Sequence, residues 1–267
     1  MKRPPRNRQD RRASSSGERP RTLRADAPEG PLWLWGSHAV TAALANPART
    51  ILRLIATENA ARRLALPDPE IVSAKTIDNA LPPGAVHQGV AAHVQPLTPL
   101  PLGDGLDTAP GAIAVLDQVS DPHNLGAIMR SAAAFGIGAL ILQTRHTPPI
   151  TGTVAKSAAG AVEQVPEIRV VNIARSLEAL QTAGYTVIGL AGGGSARLDT
   201  ALDGAGKVAL VLGAEGAGLR PAVAKACDLM AHIPISAAME SLNVSNAAAI
   251  AFHEIARARK SGPFSPE

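Results

Sequence analysis

The sequence predicts an α/β protein: a large, mainly parallel sheet with helices on both faces, preceded by a smaller α/β unit. Three observations carry this. From residue 111 onward, short apolar runs of strand character alternate with segments of helical periodicity. A stretch with four prolines and two glycines, residues 95–110 (QPLTPLPLGDGLDTAP), separates this region from what precedes it. Finally, three of the apolar runs break into loops dense in Gly, Asn, Ser, Asp or Glu, and open α/β sheets build their sites in loops at strand ends.

The elements follow in order. Residues 1–30 hold Arg, Pro and Ser without periodicity and read as a disordered basic tail. The small unit spans 31–94. LWLWG is a short strand, and Ser37 is placed to cap the helix HAVTAALAN, which Asn46-Pro47 ends. ILRLIATENA is a strand running into a helix, IVSAKTIDNAL a short strand and helix, and QGVAAHV a last strand. Residues 95–110 read as an extended linker. The large unit spans 111–262. Its strands are GAIAVLDQV, GALILQ, EQVPEIRV, YTVIGLAG, KVALVLG and LMAHIPI. Helices fall between them from about Gly126 to Phe135, around 151–161, at 172–183 and at 221–226, and a long one runs from Val244 to Arg259. Periodicity alone gives this unit a Rossmann-like reading.

Composition narrows the function. At 267 residues and 46% hydrophobic content the chain can bury a core in two domains. No stretch of about 18 apolar residues marks a membrane span. The basic N-terminus lacks the apolar core of a signal peptide, so a cytoplasmic protein is expected. Cys227 is the only cysteine, which excludes an internal disulfide and a Cys-rich zinc site, and its neighbours suggest a small buried side chain. The histidines show no metal-ligand spacing. The net charge of +4 is uneven: residues 1–30 carry +5 and the rest −1. Such an arm either touches nucleic acid or solubilises the chain. With three Phe, two Trp and one Tyr, stacking of bases on an aromatic sheet is not expected. Any RNA would be held through backbone, ribose and shape.

The three loops that follow strands are Leu116–Arg130 (LDQVSDPHNLGAIMR), Leu210–Leu219 (LVLGAEGAGL) and Ile233–Ala247 (IPISAAMESLNVSNA). In order and detail they resemble the three motifs of the SpoU/TrmH family of RNA 2′-O-ribose methyltransferases, over about residues 31–260. The last motif, SLNVSNA, is the most specific. The small unit, with Gly36, Val40, Leu44 and the run His87-Gln88-Gly89-Val90, resembles more weakly the ribosomal-protein-like RNA-binding domain at the front of many members, which would put His87 near RNA. The resemblance implies the SPOUT fold, with a C-terminal trefoil knot that periodicity cannot reveal. It implies S-adenosylmethionine as methyl donor, no metal, a homodimer and an RNA partner. The front domain points to a guanosine of large-subunit (23S) ribosomal RNA.

The same resemblance implies the site residues. Gly213, Ile233 and Leu242 match the cofactor-binding positions. The missing side chain of Gly213 allows close approach of a ligand to the main chain, and valine there is expected to fill the cofactor's space while sparing the fold. Asn124, Arg130, Glu215, Ser241 and Asn243 match the polar catalytic positions. A ribose hydroxyl is a poor nucleophile at neutral pH, so its proton must leave as the new bond forms. Arg130 carries a guanidinium, which is too weak an acid to serve as a base in a protein. Its expected role is therefore to grip the phosphate beside the target ribose, whose oxygen, or a water, takes the proton. Asn124 orients the hydroxyl or supports Arg130, Glu215 fixes its loop, and Ser241 and Asn243 shape the cofactor loop where the last helix opens. His123 reads as structural. Gly192-Gly193-Gly194 follows a strand but lacks the G-x-G-x-x-G spacing, so it reads as a tight turn or a secondary cofactor contact.

Three other readings stand beside this one. A tRNA or resistance-type ribose methyltransferase uses the same motifs. A non-catalytic RNA-binding protein of this fold would not need the polar set at Asn124, Arg130, Glu215 and Asn243. A nicotinamide oxidoreductase is disfavoured by the missing glycine fingerprint.

Overall fold

A computed structural model describes residues 30–108 and 111–260; the basic tail of residues 1–29 lies outside the described residues. In the front unit β1 (Leu32–Trp35), α1 (Ser37–Ala45), β2 (Ile51–Ala56), α2 (Glu58–Leu64), β3 (Glu70–Ile71), α3 (Ala74–Ala80) and β4 (Val90–Val94) follow in turn. The four strands lie in the order β1-β4-β2-β3, with only β2 and β3 parallel. Thr57 and Ser73 cap α2 and α3 through their hydroxyls. Ser37 does not cap α1. It is the first helical residue, after Gly36 at φ 87°, and its amide donates to Oε1 of Gln88 at 3.0 Å. The acceptor comes from 51 residues away, which is why the local sequence pointed to the wrong side chain.

The segment read as an extended linker carries a helix, α4 (Leu102–Thr108). The leucines explain it. Leu102 and Leu106, one helical turn apart, pack with Leu100 against the core that holds Ile168, and the Leu100 amide donates to the Glu167 carbonyl at 2.8 Å.

The large unit continues with β5 (Ala112–Leu116), α5 (Pro122–Ala134), β6 (Ala139–Gln143), α6 (Gly152–Ala158), a 3-10 turn at Ala161–Glu163, β7 (Glu167–Val170), α7 (Ile173–Thr182), β8 (Tyr185–Leu190), β9 (Ala196–Arg197), α8 (Leu198–Ala201), β10 (Lys207–Leu212), α9 (Pro221–Lys225), β11 (Leu229–His232) and α10 (Val244–Lys260). The seven strands lie in the order β7-β6-β5-β10-β8-β11-β9, and every pairing is parallel. β10 runs between β5 and β8, both formed earlier in the chain, so the order of strands switches there. Ligands of open parallel sheets bind at such points, beyond the carboxyl ends of the strands. One expectation shifts: α5 starts at Pro122 and not near Gly126. Asp121 is its N-cap and proline its first residue, a pairing that presets the helix. Asn124 therefore stands in the first turn of a helix and not in a loop.

The two units share one core. Leu34, Val40 and Ala43 of the front belong to the same buried cluster as Val154, Ala155 and Ala158. Glycines let the backbones meet: a Cβ on Gly152 would lie 2.0 Å from the Trp35 ring, and one on Gly160 2.8 Å from Ala42. A buried ion pair crosses the seam. Arg49 Nη2 donates to Glu163 Oε1 at 2.6 Å, with the two side chains 2% and 4% exposed. Asn46 also donates to Glu163, and Arg49 to the Gln95 carbonyl. A cavity of about 530 Å³ opens beside this pair, between the units, with Met129 of the first motif in its wall. Glu163→Ala leaves a guanidinium buried without its anion, so it is expected to cost about 3–5 kcal/mol. Denaturant unfolding measures this, and a loss below about 1 kcal/mol, the value of an exposed pair, would contradict the account.

Candidate cofactor and active site

The three motif loops leave the carboxyl ends of β5, β10 and β11 and are tied together by side chains. Asn243 Nδ2 donates to Asn124 Oδ1 at 3.1 Å and to Glu215 Oε1 at 3.2 Å. Asn124 Nδ2 donates to Glu215 Oε2 at 3.4 Å. Each motif thus contributes one member of a closed triangle. The other end of the Asn243 amide caps α10, its Oδ1 accepting from the Ser245 amide at 2.9 Å and the Asn246 amide at 3.4 Å. Capping and site-building are one function here: the helix fixes which way Nδ2 points.

Glu215 rides on a small hairpin. Ala214 and Gly218 exchange main-chain hydrogen bonds at 3.1 and 2.9 Å, and Gly216 and Gly218 take φ 77° and 65°, which glycine adopts at little cost. The far end of the hairpin is held by a pair that the sequence reading missed. Asp117, fully buried where β5 ends, accepts from the Arg220 amide at 3.1 Å and from Arg220 Nε at 2.8 Å. A carboxylate closing an all-apolar strand was the available signal, since buried charges need partners.

Beside this triangle lies a cavity of about 290 Å³, lined by Gly213, Ile233, Ser241, Leu242 and Glu215. That is near the lower end of the range of about 300–1,000 Å³ for small-molecule sites. The three expected cofactor positions and two of the five expected catalytic ones thus meet at one cavity. Of the glycine run, Gly192 also lines it, while a Cβ on Gly194 would collide with the Ala231 main chain at 2.4 Å. Glu240, unremarked in the sequence, stands at the rim.

The reason given for Gly213 needs correction. A Cβ there would meet the Gly218 carbonyl carbon at 2.2 Å and the Leu219 nitrogen at 2.5 Å. Glycine is needed because the hairpin folds back onto it, and not only because a ligand must fit. Valine would therefore not spare the fold.

Arg130 is not drawn into the triangle. It is exposed and, among the described residues, has no hydrogen bond or ion pair. It lies seven residues after His123 on α5, so the two share a face of that helix, a turn and more from Asn124. His123 is exposed, with Nδ1 3.3 Å from Ser157 Oγ. His87 pairs with Asp78 at 3.1 Å and accepts from the Gly89 amide at 3.0 Å, which gives it a loop-shaping role. Cys227 is half-buried and donates to the Val223 carbonyl. Burial, with Asp228 and Asp117 nearby, pushes its thiol up to about 11, which keeps it protonated and unreactive. Among the described residues, no three His, Cys, Asp or Glu side chains are grouped to hold a metal ion, and no helix is long and apolar enough to cross a membrane.

Fold and site together define a class: a parallel α/β protein with a small-molecule cavity at its strand switch, walled by apolar side chains and glycine-rich main chain and flanked by an amide–carboxylate triangle. Comparisons with known proteins give the family. Residues 111–253 match the SpoU rRNA Methylase family, and residues 33–100 match the RNA 2′-O ribose methyltransferase substrate-binding family. The chain belongs to the SpoU family of rRNA methylases. It is 40% identical, over 85% of its length and 96% of the relative's, to the 23S rRNA (guanosine-2′-O-)-methyltransferase RlmB of Xylella fastidiosa. A Burkholderia RlmB is 42% identical over the same shares. Among solved structures, the SpoU methyltransferase AviRb of Streptomyces viridochromogenes in complex with AdoMet superposes with a TM-score of 0.72 at 25% identity, covering 87% of this chain and 92% of AviRb. The AdoMet-bound rRNA methyltransferase of Sinorhizobium meliloti superposes with a TM-score of 0.72 at 26% identity, covering 88% of each chain.

Proposed function

We propose that this chain transfers a methyl group from S-adenosylmethionine to the 2′-oxygen of a guanosine ribose in 23S ribosomal RNA. The carrying observation is that the second and third motif loops wall one cavity while Asn124 of the first is tied to Glu215 at its edge, in a chain that matches RlmB relatives over most of its length. When bound, the cofactor supplies an electrophilic methyl on a sulfonium, which departs as a neutral thioether. The protein's own residues do the rest. Ile233 and Leu242 offer apolar walls for an adenine ring, and Gly213 lets main chain line the cavity. Asn124 and Asn243, locked against Glu215, stand next to it with preset orientations. Preset polar groups accelerate a reaction because they need no reorganisation in the transition state. Ser241, exposed on the same rim, shapes the entry. Arg130, charged and unengaged, grips the phosphate beside the target ribose. The 2′-oxygen attacks the methyl carbon, the carbon–sulfur bond breaks, and the hydroxyl proton passes to that phosphate oxygen or to water.

Several finer features belong to this proposal. Residues 31–94 choose the RNA and residues 111–262 methylate it, with 95–110 joining them. The motif loops thread as a trefoil knot, the protein works as a homodimer, and it acts in the cytoplasm. The basic tail adds affinity without choosing the nucleotide, because phosphate contacts position but do not specify. Calorimetry with S-adenosylmethionine and with NAD tests the cofactor assignment. Binding of the first alone is expected, and binding of NAD alone would overturn it.

A further inference from the structure

Two cations meet at the seam between the units with no carboxylate to neutralise them. Lys156 of α6 donates from Nζ to Gln88 Oε1 at 3.2 Å, across from the front unit. Arg63, in the last turn of α2, donates from Nη2 to the Gln88 carbonyl at 3.1 Å and to Ser37 Oγ at 3.5 Å. Their neighbour Arg62 is paired with Glu58, but no ion pair includes Arg63 or Lys156 among the described residues. Asp78 of α3 is engaged by His87. Gln88 itself is held at φ 56°, a backbone setting uncommon for a side chain of its kind. The Lys156 head is also crowded: a Cβ on Gly36 would lie 2.3 Å from its nitrogen. Burial lowers the Lys156 pKa, with no anion to raise it.

One contact and two steps along the sequence lead from this point to the triangle. Ser157 follows Lys156, its Oγ lies 3.3 Å from His123 Nδ1, and His123 precedes Asn124. Arg130, exposed and without an ion pair among the described residues, shares the His123 face of α5. We propose that Arg63 and Lys156 form a phosphate-binding station for the substrate RNA, across the seam, from which the strand runs over Ser157 and His123 to bring its target ribose to Asn124 and Arg130. The inference rests on the RNA methyltransferase reading above. The station draws one cation from each unit, so RNA engages it only while front unit and catalytic unit are held together. Lys156 and Arg63 are positioning residues: they set where the strand lies and do not touch the reacting atoms.

The test uses the full chain and 23S rRNA lacking the modification, with binding measured over a salt series. On single-stranded RNA each phosphate contact contributes about 0.7 to the slope of log affinity against log salt. Arg63→Ala and Lys156→Gln are each expected to reduce that slope by about 0.7, and the double variant by about 1.4. Glutamine keeps a hydrogen-bond donor and removes the charge. KM for RNA should rise while kcat and cofactor affinity stay close to wild type. Arg53→Ala, which breaks an exposed pair with Glu70, should leave the slope unchanged. An unchanged slope in the double variant overturns the station, and a lowered melting temperature with that unchanged slope would assign the pair to holding the units together. A wild-type chain that methylates no RNA overturns the enzyme reading and the station with it.

Discussion

Arg130→Ala is expected to lower kcat by about two to three powers of ten, the usual consequence of losing one charge-stabilising donor at a reacting centre. Cofactor affinity should stay within a factor of about two, as for surface changes that touch no structural feature. The structure gives the reason. Arg130 is exposed and unpaired among the described residues, so removing it leaves no orphaned partner and opens no cavity. Its proposed partner arrives with the RNA. Lysine should rescue poorly, because one ammonium cannot reproduce a two-pronged guanidinium contact with phosphate. Single-turnover methyl transfer with saturating cofactor measures both variants. A lysine variant near full rate would remove the bidentate role, and a large loss of cofactor affinity in Arg130→Ala would place the residue at the cofactor.

Gly213→Ala should weaken cofactor binding about ten- to a hundredfold, the effect of overpacking by about 1–3 kcal/mol if it falls on the loop. Gly213→Val should be no milder and should also lower the melting temperature. The decisive comparison is between the two. If the glycine only made room for adenosine, one methyl would be tolerated far better than an isopropyl group. The clash of the first added carbon with the Gly218 and Leu219 main chain makes alanine harmful already. The hairpin must open to admit it, and Glu215 then leaves Asn124 and Asn243. Titration calorimetry with S-adenosylmethionine reads the result, and near-normal affinity in Gly213→Ala would show that the hairpin yields easily.

The sheet was legible in the sequence because its inner strands are written as unbroken apolar runs: AIAVL, ALILQ and KVALVL appear as β5, β6 and β10. Gly213, Ile233 and Leu242, which line one cavity, were legible only through the resemblance of the motifs; as bare residues Ile233 and Leu242 read as core. Local chemistry failed where a distant group supplied the partner. Ser37 seemed a cap, yet Gln88 provides the acceptor. The prolines of 95–110 suggested an extended chain, but the i, i+4 leucines of α4 found an apolar surface on the other unit. The helix was expected from about Gly126, although Asp121-Pro122 is itself a helix start. The buried Arg49–Glu163 pair and the Gln88–Lys156 contact join residues 114 and 68 positions apart, and no local pattern announces such pairs.

The central claim is a ribose methylation of 23S rRNA, and mapping of 2′-O-methyl groups across the total RNA of a strain lacking the gene tests it most directly. The account predicts that one guanosine of 23S rRNA loses its 2′-O-methyl group, that the wild-type chain restores it, and that Arg130→Ala does not. An unchanged methylation map, or a methyl group lost from tRNA with the 23S pattern intact, would contradict it.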